Sequence, residues 1–377
     1  MLITIPSEAQ GENRVAMTPD TVKRLLSKFK GVDIAVEKGA GQKAYIEDSA
    51  FEAVGAKIVT RAKSFGGDIV LTVNAPAKAD IKNFKKGALL IGSLDPSSNT
   101  NLFKDFAKSG VNALATEKIP RISRAQAMDT LSSQANIAGY MAVLEATNHF
   151  NKFFPVMMTA AGSSKPAKVI ILGVGVAGLQ AIATAKRLGA SVEAFDVRPE
   201  VAEQVQSLGA KFIDLGLDED GSGEGGYAKE LSTEGKEKQQ AALQEYLKKA
   251  DIVITTAQIP GRAAPILITE GAVKGMKEGS VVIDMAAGGF NQANKIAGGN
   301  CPLTVVNEVC VKHGVTLVGY TDYPSRMSGD ASAFFSRNLL NILPLLIEEN
   351  EGKSVLNIHT DDEIIVKSLV TLDGEVK

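Results

Sequence analysis

A chain of 377 residues with 41 basic and 43 acidic side chains has the length of two domains and, at a net charge of −2, lacks the positive surface of a nucleic-acid-binding protein. Its apolar stretches are shorter than the roughly 20 residues that span a bilayer, and no secretory leader is recognisable, so we expect a cytoplasmic protein. Two cysteines, Cys301 and Cys310, without zinc-type spacing predict no metal site and fit a reducing compartment.

The first region alternates short apolar runs with helical patterns. Strands are predicted at LITIP, DIAVEKG, KIVT, GDIVLTV and ALLIG. Thr18 followed by Pro19 marks the start of a helix over TPDTVKRLLSKF, because a hydroxyl caps a helix and proline suits its first turn. This βαβ rhythm predicts a parallel sheet.

A long helical pattern, LSSQANIAGYMAVLEATNHFNKFF, leads into a second βαβ series. Its strands KVIIL, SVEAF, DIVITTA, SVVIDMA and VTLVGY show no polar alternation, which is typical of a parallel sheet buried on both faces. A second long helical pattern, DASAFFSRNLLNILPLLIEE, and a hairpin-like VTLDGEV follow. We therefore predict a discontinuous first domain, 1–132 plus 322–377, and a second domain, 133–321, joined by the long helices.

A glycine-rich motif follows the first strand of the second domain. KVIIL runs into GVGVAG, then into the helical LQAIATAKRLGA and the strand SVEAF, which ends at Asp196. This order is typical of a Rossmann-like dinucleotide site, where the helix amino terminus faces the pyrophosphate. The residues predicted to contact it are Gly173, Gly175, Val176, Ala177 and Gly178.

Asp196 predicts which dinucleotide binds. A carboxylate at the end of the second strand accepts hydrogen bonds from both ribose hydroxyls and repels a 2′-phosphate, which favours NAD(H) over NADP(H). Arg198, two residues later, leaves two interpretations open, since a guanidinium either serves a phosphate or is solvated at the surface.

Two polar segments each have a structural and a functional interpretation. The glycine- and acid-rich stretch at residues 216–235 is either an inert surface insertion or a functional mobile loop. Gln126, Asp129 and Ser133 have helical spacing, with Arg121 and Arg124 before them. They form either a capping cluster at a helix start or, beside the expected interdomain cleft, a recognition site for nicotinamide.

Histidine is scarce, which limits the chemistry. His149, His313 and His359 lie in the connecting helix, before a late strand and in the tail, and we interpret each as a surface or packing residue. An ordinary dehydrogenase needs a general acid or base at the nicotinamide, and none of the three histidines is placed to serve as one. The identity of the hydride acceptor therefore has to be inferred from other residues.

Over essentially its full length the sequence resembles the alanine dehydrogenase and transhydrogenase alpha-subunit superfamily. ENRVAMTPDTVKRL, the glycine motif and GGNCPLT carry the resemblance, and RISRAQAMDTLSSQANIAGY with GVGVAGLQAIATAKRLGA is similar to the transhydrogenase branch. The resemblance implies an oxidoreductase that passes a hydride directly between its own NAD(H) and NADP(H) on a partner subunit, coupled to proton translocation.

The resemblance also implies site residues. Arg121, Gln126, Asp129 and Ser132 would surround the nicotinamide, with Gln126 orienting its hydride-donating face. Asp196, with Val197 and Arg198 after it, would take the adenosine ribose. The loop that closes on the nucleotide would include Gly226, Tyr227 and Gln239.

Chemistry within the sequence favours the transhydrogenase branch. Alanine dehydrogenases carry a lysine in a VKEP-like stretch and a histidine after the next strand, whereas the matching stretches here read VNAP, with Asn74, and IGSLDP, with Ser93 and Leu94. Direct transfer between nicotinamides needs no base, because only a hydride moves.

The sequence departs from the family at two places. Gln258 is expected to change adenine contacts, and the stretch near residues 288–298 is longer than usual.

The implied partners are membrane-spanning and NADP-binding subunits, which would attach the chain peripherally to the inner membrane, and a second copy in a homodimer. Two rival hypotheses remain. One is an NAD-dependent amino-acid dehydrogenase, alanine-like, with a replaced base; the other is a catalytically silent NAD-binding regulator.

Overall fold

The computed structural model describes residues 1–216, 232–258, 262–288 and 298–377. Within these ranges the chain forms two units, Met1–Gln134 with Pro324–Lys377, and Ala135–Tyr323. Each unit is built on one large sheet flanked by helices, as the sequence predicts for an α/β protein. In the same ranges no helix combines the length and apolarity needed to cross a membrane.

Short strands and helices alternate along both units. The strands, in chain order, are β1 (Leu2–Ile5), β2 (Asp33–Glu37), β3 (Lys57–Val59), β4 (Ile69–Asn74), β5 (Leu89–Ser93), β6 (Asn112–Ala115), β7 (Met157–Thr159), β8 (Gly162–Ser164), β9 (Lys168–Leu172), β10 (Ser191–Phe195), β11 (Lys211–Phe212), β12 (Ile252–Thr255), β13 (Val281–Asp284), β14 (Val309–Lys312), β15 (Val315–Val318), β16 (Ile347–Asn350), β17 (Lys353–Leu356), β18 (Leu369–Leu372) and β19 (Glu375–Val376). The α-helices are α1 (Pro19–Lys28), α2 (Asp48–Glu52), α3 (Arg61–Ser64), α4 (Thr100–Lys108), α5 (Thr130–His149), α6 (Val176–Arg187), α7 (Ala202–Ser207), α8 (Thr233–Leu247), α9 (Glu270–Gly275), α10 (Tyr323–Arg326), α11 (Ser328–Ile342) and α12 (Glu363–Ser368).

The sheet of the first unit has the strand order β19-β18-β6-β5-β4-β1-β2-β3. The strands from β1 to β6 pair in parallel, while β18 lies antiparallel to β6 and forms a hairpin with β19. The parallel part therefore has the 3-2-1-4-5-6 order of a Rossmann fold, and the carboxy-terminal segment extends the sheet at its β6 edge.

The sheet of the second unit has the order β11-β10-β9-β12-β13-β15-β14, and among its described strands only β14 is antiparallel. Its order reverses direction between β9 and β12, which is where dinucleotides bind in open parallel sheets. The glycine motif follows β9 directly and so begins at this reversal.

Both sheets are covered on both faces. In β9, Val169 and Ile171 belong to one apolar cluster while Ile170 and Leu172 belong to another. Alternate residues of β4 and β5 divide in the same way in the first unit. Because successive side chains of a strand point to opposite faces, this division explains the absence of polar alternation in the strand sequences.

Two helical predictions require correction. The pattern from 330 to 349 predicts one helix, but α11 ends at Ile342, a 3-10 helix covers Leu343–Leu345, and β16 follows. Pro344 has no amide hydrogen for an α-helical bond, so the helix does not continue through it. The segment around 123–133 is also not one helix, because the 3-10 helix Ser123–Met128 stops before α5.

Candidate functional site

Two glycines of the turn after β9, Gly173 and Gly178, have no room for a side chain. Gly173 has φ +97°, a conformation that side chains disfavour, and Thr256 Oγ1 donates to the Gly173 carbonyl at 2.9 Å. A Cβ at Gly178 would overlap that same carbonyl oxygen. The two glycines therefore allow α6 to start directly against the end of β9.

The amino terminus of α6 is open to a ligand. Gly175 is its N-cap residue, and no side chain of the described residues caps the helix there. A Cβ built on Gly175 meets nothing within 4 Å, and the side chain of Val176, next in the chain, is exposed. Amide hydrogens at a helix start attract phosphate, so the turn with Val176, Ala177 and Gly178 fits a pyrophosphate group.

Asp196 and Arg198 form an ion pair at the end of β10. Asp196 is 8% exposed, and its Oδ1 accepts from the Arg198 backbone amide at 2.9 Å and from Nε at 2.8 Å. Its Oδ2 accepts from the Val174 amide at 2.7 Å and from Arg198 Nη2 at 2.8 Å. The hydrogen bond to Asp196 raises the pKa of Arg198. The guanidinium therefore holds the carboxylate against the glycine turn, and a ribose hydroxyl that bound Asp196 would compete with these bonds.

Three further residues predicted to bind the nucleotide, Val197, Gln239 and Gln258, lie in the described part of the second unit. Val197 packs against the apolar cluster of that unit, and Gln239 on α8 is buried. Gln258 is exposed and donates to the Met285 carbonyl at 3.2 Å. Gly226 and Tyr227 lie outside the described residues, as does most of the long stretch near 288–298.

The segment predicted to contact nicotinamide consists of two helices with a break at Asp129. Gln126 lies in the 3-10 helix Ser123–Met128 and is exposed, as is Arg121 before it. Asp129 has φ −72° and ψ 93°, which is extended backbone, so the predicted helical spacing of Gln126, Asp129 and Ser133 does not place them on one helix face.

Asp129 caps α5. Its Oδ1 accepts from the Ser132 amide at 2.8 Å and its Oδ2 accepts from Ser132 Oγ at 2.6 Å. The capping interpretation of this cluster is thus observed. Capping does not occupy every acceptor position of a carboxylate, and Asp129 and Ser132 remain half-buried rather than enclosed.

Residues of the carboxy-terminal segment hold this segment in place, and no sequence pattern identifies them. Asn338 and Asn341, both on α11, donate through Nδ2 to the Ala127 carbonyl at 2.9 and 3.2 Å. Arg124 makes a two-point ion pair with Asp362, at 2.8 and 2.7 Å. These contacts join residues more than 200 positions apart, so only the discontinuous topology brings them together.

A polar cluster surrounds Asn74 at the end of β4, the position that the resemblance described above matches with a lysine of alanine dehydrogenases. Asn74 Nδ2 donates to Glu12 Oε2 at 2.9 Å, and Arg14 binds the same carboxylate through Nε at 2.8 Å and Nη2 at 2.7 Å. Arg14 also donates to Gln134 at 2.9 Å. Burial alone would raise the pKa of Glu12, but hydrogen bonds and charge from Arg14 outweigh it and lower the pKa to about 2.

Glu8 lies beside the same residues. Its Oε1 accepts from the Val73 amide at 2.6 Å and its Oε2 from the Asn74 amide at 3.1 Å. Burial raises the pKa of Glu8 to about 7. Leu94, where alanine dehydrogenases have histidine, is fully buried, and Ser93 ends β5. The arrangement presents a paired arginine and a carboxylate that titrates near neutrality.

The histidines each contact a glutamate, and His359 also lines a cavity together with Arg124 and Asp362. His149 lies 3.0 Å from Glu145, His313 lies 3.2 Å from Glu270, and His359 lies 2.8 Å from Glu348. Across the parts of the chain that are described, histidine, cysteine and carboxylate side chains form no cluster suited to a metal ion.

Comparison with known proteins matches both regions of the chain. Residues 4–138 match the alanine dehydrogenase/PNT N-terminal domain, and residues 142–377 match the alanine dehydrogenase/PNT C-terminal domain. The whole chain is 46% identical to NAD(P) transhydrogenase subunit alpha of Haemophilus influenzae, covering 71% of that protein. It is also 46% identical to an NAD(P) transhydrogenase subunit alpha polypeptide of Rhodospirillum rubrum, covering 97% of it.

Among solved structures, the transhydrogenase from Sinorhizobium meliloti superposes over the full length of both chains, with 39% identity and a TM-score of 0.87. This similarity confirms the predicted α/β class with Rossmann-like domains. The chain therefore belongs to the alanine dehydrogenase/PNT family, as an oxidoreductase similar to the NAD(P) transhydrogenase alpha subunits.

Proposed function

We propose that this chain binds NAD(H) and exchanges a hydride directly with NADP(H) held by a partner subunit of a proton-translocating transhydrogenase. The observation that carries NAD(H) binding is the uncapped start of α6 at Gly175, beside glycines whose positions exclude a Cβ. A phosphate-sized anion is the ligand that such a helix start favours.

The assignment of residues follows the two units. In the second unit Gly173, Gly175, Val176, Ala177 and Gly178 hold the pyrophosphate. Asp196, with Val197 and Arg198, takes the adenosine ribose, and Gln258 contacts the adenine. Gln239 lies within α8 and not in a loop, and we propose that it contacts the nucleotide together with Gly226 and Tyr227.

In the first unit Arg121, Gln126, Asp129 and Ser132 contact the nicotinamide. The exposed carboxamide of Gln126 orients the ring face that gives or takes the hydride. Transfer from NADH to NADP⁺ moves two electrons and one hydrogen nucleus together, leaving NAD⁺ and NADPH. No proton is released or taken up at the rings, so orientation at near-attack distance is the chief requirement.

The paired state of Arg14 supports hydride exchange over amino-acid oxidation. An amino-acid dehydrogenase needs a cation for the substrate carboxylate and a base for its ammonium or hydroxyl proton. Here Glu12 and Gln134 engage the guanidinium, and Asn74 replaces the lysine.

Glu8 is the observation that favours the dehydrogenase alternative, because a carboxyl with a pKa of about 7 suits a general base.

We propose that the protein is cytoplasmic, is attached peripherally to the inner membrane through membrane-spanning and NADP-binding partner subunits, and forms a homodimer.

The partner's nicotinamide would approach near Arg121 and Tyr227. Bulky substitutions there are expected to abolish capture of the NADP-binding component in a pull-down; capture that survives them contradicts this docking face. Light scattering that shows only monomer contradicts the homodimer.

Hydride exchange is the test of the proposed function. The purified chain is mixed with the NADP-binding component of a transhydrogenase, and reduction of an NAD analogue by NADPH is followed while L-alanine oxidation with NAD⁺ is assayed in parallel. We expect exchange without alanine oxidation, and exchange that collapses in Gln126→Asn and Asp129→Asn. Alanine oxidation without exchange establishes the dehydrogenase, and NADH binding with neither activity establishes the silent regulator.

A further inference from the structure

Asn338 on α11 reaches both helices of the proposed nicotinamide segment with one carboxamide. Its Nδ2 donates to the Ala127 carbonyl at 2.9 Å, and its Oδ1 accepts from Ser133 Oγ at 2.7 Å. Ala127 follows Gln126 in the chain, and Ser133 follows Ser132. The side chain is 7% exposed, so water does not replace these bonds freely.

The break at Asp129 explains why such a bridge matters. A continuous helix fixes the relation of its residues through its own hydrogen-bond ladder, but the 3-10 helix Ser123–Met128 and α5 are separate elements. Asp129 links their backbones, because its amide donates to the Gln126 carbonyl at 3.3 Å and its carbonyl accepts from the Ser133 amide at 3.2 Å. A buried side chain bonded to both helices restricts their relative rotation further.

Asn341 supplies a matched comparison from the same helix. It donates to the same Ala127 carbonyl at 3.2 Å, but it is exposed and also donates to the Arg337 carbonyl within its own helix. Asn341 therefore ties the 3-10 helix to α11, whereas Asn338 ties the 3-10 helix to α5 as well.

We propose that Asn338 is a positioning residue for hydride transfer, acting through Ala127 and Ser133 to hold Gln126 in a fixed relation to Asp129 and Ser132. This inference rests on the proposed function. It assigns to α11, a helix of the carboxy-terminal segment, a role in the reaction that its sequence alone does not indicate.

The kinetic consequence is a loss of rate with little loss of affinity. The glycine turn and Asp196 supply most nucleotide contacts in the proposed function, so Asn338→Ala should leave the Kd for NADH within about threefold of the wild type. Misplacement of reacting groups by about 1 Å costs up to about a hundredfold in rate. We expect the hydride-exchange rate at saturating nucleotide to fall by at least about tenfold, and Asn341→Ala to stay within about twofold of the wild type.

Asn338→Asp tests the bond to Ala127 without removing the side chain. An ionised carboxylate still accepts from Ser133 but cannot donate to the Ala127 carbonyl, whereas a protonated carboxyl can. The exchange rate of this variant relative to wild type should therefore rise as pH falls. The comparison is made at temperatures where thermal unfolding shows both proteins fully folded, and there a residue that only stabilises the fold would show no such recovery.

Fluorescence of bound NADH gives a readout that needs no partner. The reduced nicotinamide is excited at wavelengths where protein side chains do not absorb, and with no tryptophan in the chain there is also no energy transfer from indole to the bound nucleotide. We expect Asn338→Ala to shift the emission of bound NADH toward that of free NADH, with Asn341→Ala resembling wild type.

The outcomes separate this inference from the proposed function. If the wild type exchanges hydride and Asn338→Ala matches it in rate and emission, the positioning role is wrong and the proposed function stands. If the wild type exchanges no hydride with the NADP-binding component, the proposed function is wrong and the role of Asn338 in hydride transfer is wrong with it. If Asn338→Ala fails to fold, the pH profile of Asn338→Asp decides it.

Discussion

At the level of single residues, the structure shows how a carboxylate and a cation are accommodated two residues apart after β10, at Asp196 and Arg198. Asp196 engages the guanidinium through both oxygens, so Arg198 is directed at the carboxylate and not at an incoming phosphate. The two interpretations of Arg198 left open by the sequence are therefore both replaced by a third, in which it orients Asp196.

This geometry predicts a change of nucleotide preference. Asp196→Asn removes the negative charge and the ion pair that directs the guanidinium, so the ratio of NADPH affinity to NADH affinity should rise by about tenfold, on the order of 1.4 kcal/mol. Titration with both nucleotides measures the ratio. The double variant with Arg198→Ala is the control, because without the guanidinium the gain for NADPH should disappear. An unchanged ratio in Asp196→Asn would show that the carboxylate does not select the nucleotide.

Glu8 predicts a stability that depends on pH. Burial raises its pKa from 4.5 in the unfolded chain to about 7 in the fold, so the folded state holds the proton more tightly. The contribution of Glu8 to the free energy of unfolding therefore falls as pH rises from about 4.5 to about 7, by on the order of 2–3 kcal/mol, and is level above that range. Denaturant unfolding of wild type and Glu8→Gln across this range measures the difference, and parallel pH profiles would refute it.

At the level of elements, α5 supports the glycine turn through Gly139. A Cβ at this position would overlap the Ala177 carbonyl oxygen at the start of α6. Asn136, one helical turn earlier, donates to Gln180 on α6 at 3.1 Å, so the two helices are closely packed at this point.

Gly139→Ala is consequently expected to push α6 away from its position and to weaken NADH binding by about tenfold or more, with lower thermal stability. Isothermal titration gives the affinity. Gly271→Ala is the matched control, since Gly271 is also helical and a Cβ there meets nothing closer than 3.7 Å. Equal affinities for the two variants would rule out a role of this contact in shaping the turn.

The elements show where sequence reasoning succeeds and where it fails. The strands with long apolar runs and the turn at Gly173 are predictable because apolar runs and glycines act locally, within a few residues, whereas short strands such as β6, β14 and β16 were not predicted. The end of α11 was marked by Pro344, yet the apolar run around it favoured a longer helix. The break at Asp129 could not be predicted, because Gln126, Asp129 and Ser133 have the same sequence spacing whether Asp129 caps a helix or lies inside one.

At the level of the whole molecule, the contacts that the sequence could not predict are those that the discontinuous first unit creates. Asn338 and Asp362 reach the segment 123–133 from positions more than 200 residues later. Likewise, the Arg14–Gln134 bond depends on tertiary packing that no local pattern encodes. Residue types at the ends of parallel strands, such as Asp196 after β10, indicated nucleotide binding. The residues that orient such side chains could be identified only from the three-dimensional structure.

Direct hydride exchange is tested most sharply by an isotope experiment on the purified chain with an NADP-binding transhydrogenase component. NADPH carrying deuterium at the transferred position of C4 is mixed with an NAD analogue, and the products and solvent are analysed by mass spectrometry and NMR. We predict that the deuterium appears at C4 of the reduced analogue with none in water, because the hydride passes directly between the rings. Deuterium lost to water, or no labelled product, would contradict direct hydride exchange.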